Sequence, residues 1–125
     1  MIDHVSIPVS DLSLAAAFWE RVLAPLGLTR IVERDRTVGF GKSYPEFWLN
    51  QRDDLPPAPE NTGHHVCLRA PDRAAVDAFH AAALAGGGRS DGAPGERRAT
   101  ISSYYGAFVR DPDGNKVEAV TFPRS

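Results

Sequence analysis

The sequence predicts an α+β domain built from two tandem βαβββ modules, and three observations carry that prediction. The first is an internal repeat. Pairing each residue with the one 61 positions later aligns His4 with His65, Val5 with Val66, Asp11 with Asp72, Phe18 with Phe79 and Gly27 with Gly88. Positions 4 to 27 give 8 identities in 24 without a gap. A repeat of that size decides the whole fold. The second is periodicity: each copy opens with a short β-like run, continues with apolar residues at helical spacing, and ends in further β-like runs. The third is size. The 125 residues, 42% hydrophobic and 24% charged, make one globular domain that buries roughly two thirds of the surface its unfolded chain exposes.

In the first module, about residues 1–55, "HVSIPV" reads as a strand because of its β-branched residues. Asp11 or Ser10 then caps a helix through about Leu26. Ala15, Phe18, Trp19, Val22, Leu23 and Leu26 form its apolar face, and Gly27 ends it. "LTRIVERD", "TVGFGK" and "EFWLNQ" follow as strands. The linker, about 52–63, carries prolines that hold it extended. The second module, about 62–122, repeats the pattern: strand "HVCLRA", a cap at Asp72, a helix from about Arg73 to Leu84, then glycines. "AGGGRSDGAPGERRA" at 85–99 is too glycine-scattered for a phosphate loop, follows a helix instead of preceding one, and reads as a mobile loop or lid. "ATISSYYGAFVRD" and "NKVEAVTF" read as strands joined by "DPDGN", a tight turn with Gly114 or Asn115 able to take positive φ.

Composition excludes several function classes. The net charge is −2 with acids and bases interspersed, so there is neither the basic stripe that nucleic acid requires nor a polybasic membrane patch. No apolar stretch approaches the roughly 18 residues of a membrane span, and the N-terminus lacks a signal-peptide pattern. Cys67 is the single cysteine and makes no internal disulfide. The expectation is a cytoplasmic protein without nucleic-acid or membrane partners.

The doubled unit, the opening "DHVSIPVSD", its counterpart "HHVCLRAPD" and the ending "AFVRDPDGNKVEAV" together span the chain. On these motifs the sequence resembles the vicinal oxygen chelate superfamily, which groups glyoxalase I, extradiol dioxygenases, fosfomycin-resistance enzymes and bleomycin-resistance proteins. The resemblance implies a curved mixed sheet that cups one divalent metal ion (Fe, Mn, Ni or Zn) and a small-molecule pocket, in a homodimer. Carried over motif by motif, the metal ligands are His4 and His65, from the first strand of each module, and Glu118, from the last strand of the second. His64 falls outside the repeat alignment and is the outward neighbour. The activity implied is that of a metalloenzyme on a small oxygen-bearing substrate that chelates the metal. The alternative is a non-catalytic small-molecule or antibiotic-binding protein of the bleomycin-resistance type.

The residues make a physical case of their own. Two imidazoles and a carboxylate on neighbouring strands form a facial triad that leaves positions open for water or substrate. Glu118 lies between Val117 and Ala119 in an otherwise apolar strand, where an ionised carboxylate is costly unless a positive charge meets it. Strand alternation places Ser6 on the face of His4 and Cys67 on that of His65, so both are candidate pocket residues. Aligning "PEFWLN" with "NKVEAV" puts Trp48 opposite Glu118, where glyoxalase I would have a fourth ligand. Indole has no metal-binding lone pair, so Trp48 reads as a pocket wall, with Glu46 its substitute if the register slips. Tyr104 and Tyr105 alternate on a strand; one faces the cup as an acid, the role given to Tyr105, or as a substrate hydrogen-bond donor. Arg69 and Lys116 run in phase with His65 and Glu118 and are candidates for binding an anionic substrate. His80 reads as a solvated helix residue.

Overall fold

The computed structural model describes residues 1–98 and 101–123. Module one comprises β1 (Val5–Val9), α1 (Leu12–Leu23), a 3₁₀ turn (Ala24–Leu26), β2 (Thr29–Glu33), β3 (Thr37–Gly41) and β4 (Pro45–Gln51). Module two comprises β5 (Val66–Arg69), α2 (Arg73–Ala85), β6 (Arg89–Arg98), β7 (Ser103–Arg110) and β8 (Lys116–Thr121). The strand orders are β1-β4-β3-β2 and β5-β8-β7-β6. In each sheet the first and last strands of the module run parallel and the remaining pairs antiparallel. The tandem βαβββ fold that the repeat implies is therefore present. Its strands fall into two four-stranded sheets, with β1 and β5 as an edge of each.

The repeated residues have repeated jobs. Asp11 and Asp72 both cap their helices, accepting from the N–H groups of Leu14 and Ala75 at 3.0 and 2.8 Å. Gly27 closes the first helical segment in the left-handed conformation (φ 82°), which only glycine adopts without steric cost. Its counterpart Gly88 serves a different need: a Cβ there would lie 2.6 Å from the Arg110 carbonyl oxygen and 3.0 Å from the Phe18 ring.

The loop reading of residues 85–99 is corrected: β6 occupies Arg89–Arg98 and pairs with β7. Its register shifts between Ser90 and Gly92 and again between Gly92 and Gly95. Glycines and Pro94 are tolerated because β6 is an edge strand broken by bulges, where a missing ladder donor costs little. The run expected from Ala99 begins as a strand only at Ser103, and Ala99 and Thr100 lie outside the described residues.

One core spans both modules. Ile7, Phe40, Phe47 and Leu49 of the first sheet pack under Phe18, Trp19 and Val22, while Val109, Val117 and Ala119 of the second pack under Val76, Phe79 and Ala83. α1 and α2 pack against each other, so the helix-bearing faces of the two sheets share an interior. The "DPDGN" turn bolts the modules together. Asp111, only 4% exposed, accepts from Trp19 Nε1 at 3.2 Å, from the N–H groups of Asp113 and Asn115 at 3.1 and 2.7 Å, and from Asn115 Nδ2 at 2.9 Å. Asn115 Nδ2 also donates to the Pro8 carbonyl at 2.8 Å.

Candidate functional site

Strand alternation sends Val117 and Ala119 of β8 into the core and Glu118 to the opposite face. There Glu118 lies in one row with Cys67 of β5 and Phe108 of β7. His65, immediately before β5, reaches over this row. Its Nε2 stands 3.1 Å from Glu118 Oε1, its Nδ1 stands 3.0 Å from the Gly63 carbonyl, and its ring meets Phe108 edge-on at 5.3 Å.

The protonation logic of this pair is specific. A carbonyl oxygen only accepts, so Nδ1 of His65 carries a proton and donates it to Gly63. In neutral imidazole Nε2 then presents a lone pair. At 3.1 Å from a Glu118 oxygen the contact needs either a proton, on the ring or on the carboxyl, or a metal ion between the two atoms. Glu118 is 4% exposed; the Cys67 thiol and the Tyr104 hydroxyl lie close enough to interact with its carboxylate, but its Oε2 is buried with no partner at full hydrogen-bond geometry among the described residues. A buried carboxylate oxygen left unpaired costs on the order of 1–3 kcal/mol or more. The donor set therefore fits a divalent cation: an imidazole nitrogen and a buried, under-coordinated carboxylate converge on one spot.

The neighbours are tuned by this burial. Burial, followed by the Glu118 charge, pushes the Cys67 thiol up to about 12. Cys67 thus lines the face as a protonated thiol and not as a nucleophile. Burial and the same carboxylate also raise Tyr104, with the Arg97 guanidinium pulling the other way. Tyr105 points to the other side of the sheet. Its hydroxyl donates to Asp77 of α2 at 2.6 Å and its ring lies under Arg73; of the two tyrosines, Tyr104 is the one that shares the face of Glu118.

In module one the equivalent row is Ser6, Trp48 and Gly39. Trp48 pairs with Ser6 as Glu118 pairs with Cys67, so the register has not slipped toward Glu46. A Cβ at Gly39 would come 3.0 Å from the indole, and Arg34 stacks over that ring at 5.7 Å. His4 precedes β1 and is exposed. Its Nδ1 donates to Asp3 Oδ1 at 2.7 Å, and Asp3 is held in turn by the Tyr44 hydroxyl at 3.0 and 3.2 Å.

Of the three expected ligands, the structure brings two together within the chain. His65 and Glu118 meet, but His4 stays apart, and no group of three His, Cys, Asp or Glu gathers as metal ligands among the described residues. The reason is topological: β1 and β5 are edge strands of separate sheets. Between them lies a groove of about 820 Å³, lined by Asp3, Ser6 and Glu46 on one side and by His65, Cys67 and Arg69 on the other. His64 also lines this groove. His80 lies on α2 against Ser90 at 2.8 Å. Sequence reading missed Phe108 and Arg97 on the Glu118 face. Phe108 alternates in phase with Tyr104, the signal that would have found it, whereas Arg97 was hidden in a segment that looked like a loop.

Comparison with known proteins agrees with this architecture. The family model described as "Glyoxalase/Bleomycin resistance protein/Dioxygenase superfamily" matches residues 1–119. A glyoxalase/bleomycin resistance protein from Albidiferax ferrireducens is 31% identical, with a TM-score of 0.83 and coverage of 94% of this chain and 96% of that one. A putative glyoxalase from Bacillus halodurans is 26% identical, with a TM-score of 0.69 and coverage of 96% and 94%. A mutant of the fosfomycin resistance protein FosX from Listeria monocytogenes, complexed with Mn(II) and 1S,2S-dihydroxypropylphosphonic acid, shares the fold at 18% identity, a TM-score of 0.68 and coverage of 95% and 87%. No curated protein matches the chain.

Proposed function

The chain belongs to the glyoxalase/bleomycin resistance protein/dioxygenase superfamily, and from that premise we propose a divalent-metal enzyme acting on a small oxygen-bearing substrate, with its site completed between two copies of the chain. In this reading His65 and Glu118 of one copy and His4 of the other hold the ion. The observation that carries it is the His65–Glu118 pair, a ring nitrogen 3.1 Å from a carboxylate oxygen, beside a buried carboxylate oxygen without a partner among the described residues. Two further features support the cross-chain part. The edges of β1 and β5 face a groove within the chain instead of pairing, and unpaired edge strands are templates for a second chain. In both histidines Nδ1 donates to an oxygen, of Asp3 and of Gly63, which turns Nε2 toward ligation, and outer partners of this kind are what set the tautomer of a ligating histidine.

A bound divalent ion would supply Lewis-acid stabilisation to a substrate oxygen as negative charge develops on it. The chain's own residues do the rest. Tyr104, raised by burial and by the Glu118 charge, keeps its proton at neutral pH and donates from its hydroxyl to a substrate oxygen. Cys67, Phe108 and, from the other module, Ser6 and Trp48 wall the space and fix the substrate's orientation. Trp48 in place of a fourth ligand favours a second reading, a non-catalytic binding protein of the bleomycin-resistance type, since a broad indole stacked with Arg34 suits flat ligands. FosX, a protein of this fold, is described with Mn(II) bound, which is in keeping with the metal reading.

Calorimetric titration with Mn, Fe, Ni and Zn separates the two. The metal reading expects Glu118→Gln and His65→Ala to weaken binding by more than the roughly 10–100-fold that outer-shell changes cost, and His64→Ala to leave it unchanged. A Glu118→Gln variant that binds metal as tightly as the parent sinks the metal site and leaves the binding-protein reading.

A further inference from the structure

The substrate class can be narrowed from the charges around Glu118. Three cations on that face lie over aromatic rings: Lys116 Nζ at 4.7 Å and Arg97 Cζ at 5.7 Å from the Phe108 centroid, and Arg69 Cζ at 4.9 Å from that of Phe122. Lys116 is neutralised by Asp91 at 3.2 Å, which also takes Arg110 at 3.0 Å. Arg97 and Arg69 form no ion pair among the described residues.

Arg97 is the better placed of the two. It is half-buried on β6, pairs in register with Tyr104, and lies with its guanidinium over the ring of Phe108, the β7 residue that pairs with Glu118. One nitrogen spends a hydrogen bond on the Ala93 carbonyl at 2.7 Å, and the other donors of the fork find no partner among the described residues. The bulged strand makes room for it. A Cβ on Gly92 would lie 3.1 Å from Arg97 Nη2 and 3.1 Å from the Phe108 ring, and one on Gly95 would lie 3.6 Å from Nη1. Gly92, at the register shifts, thus leaves open the slot that the guanidinium fills, while a side chain at Gly95 would only touch it. A planar fork stacked on an aromatic ring, half-desolvated and without a carboxylate, matches bidentate recognition of an anion.

We propose that Arg97, with Tyr104 beside it, clamps a carboxylate, phosphonate or phosphate group of the ligand next to Glu118, so that the substrate is a small oxygenated anion and not a neutral diol or ketone. This rests on the reading of the Glu118 face as the substrate site, but it does not depend on the metal. NMR titration of the full chain without added metal tests it, with methylphosphonate as the anionic probe and propane-1,2-diol as the neutral one. Saturable shifts are expected at Tyr104 and at the Arg97 side chain with methylphosphonate only. Arg97→Gln should weaken that binding about tenfold or more, and Arg97→Lys, which keeps the charge but loses the fork, should retain part of it. Glu118→Gln should preserve or tighten methylphosphonate binding while abolishing tight metal binding. If the parent takes no metal yet binds methylphosphonate through Arg97, the inference stands and the metal reading falls. Equal affinity of the parent and Arg97→Gln for methylphosphonate, or equal binding of the diol, overturns it.

Discussion

His65 Nε2 and the buried Glu118 carboxyl stand 3.1 Å apart, a distance that a shared proton or a metal ion satisfies, and this single contact organises the neighbouring chemistry. Cys67 reports on it. Although the residue is exposed, burial of its thiol and then the Glu118 charge push it up to about 12. Alkylation by iodoacetamide at pH 8 should therefore run at least about 100-fold slower than for a free cysteine of pKa about 8.5. Glu118→Gln should speed it only partly, because burial is the larger cause. Alkylation of the parent at the free-cysteine rate would mean that neither burial nor the Glu118 charge holds the thiol protonated. His65 and Glu118 were legible in the sequence, because the repeat picks out one histidine of two and a lone acid in an apolar strand demands a partner. The choice between Tyr104 and Tyr105 was not. Alternation says that the two point oppositely, while the phase depends on how β7 pairs with β8.

The elements were legible to different degrees for a similar reason. Both helices announce themselves through an aspartate cap and an apolar stripe, and β8 through its alternation. β6 does not, since an edge strand with two bulges carries glycine and proline where a central strand would carry β-branched residues. The β7–β8 turn was legible as a turn but not as the bolt between modules, a role that appears only once Trp19 of α1 reaches Asp111. Asp111→Ala should cost roughly 2–4 kcal/mol, because several buried donors lose their acceptor together. The pH dependence has a definite sign. Burial raises the Asp111 carboxyl above its ordinary 3.8, its donors opposing only in part. Its contribution to stability is therefore full below pH 3.8 and is lost as the pH rises through the folded value. Asp91 acts on the other side of 3.8. Burial pushes it up, but hydrogen bonds from Arg110 and Lys116 outweigh that and hold it low, so its contribution is lost only as the pH falls. Urea unfolding between pH 3 and 7 should show a shallower decline with rising pH for Asp111→Asn than for the parent. An unchanged slope would mean that Asp111 is not the group titrating.

At the scale of the whole molecule, the sequence repeat makes His4 and His65 equivalent, and the structure keeps that equivalence while separating them. Each lies just before the first strand of its module, and each of those strands is a sheet edge. The repeat could not reveal whether the two modules close on one another or on those of a second copy, because both arrangements use the same edges. Shared packing of α1 and α2 fixes the helix-bearing faces within the chain and leaves the Glu118 face open to a partner. In the proposed dimer one ion is held by His65 and Glu118 of one copy and His4 of another, an arrangement that mixing two crippled variants tests. His4→Ala and Glu118→Gln homodimers should each lack tight metal sites. Unfolded together at equal amounts and refolded, they should regain about one quarter of the parent's sites, because half of the dimers are mixed and each mixed dimer has one intact site of two. Recovery of that fraction by metal titration is the predicted result; a parent that binds metal tightly while the refolded mixture recovers no sites would contradict it.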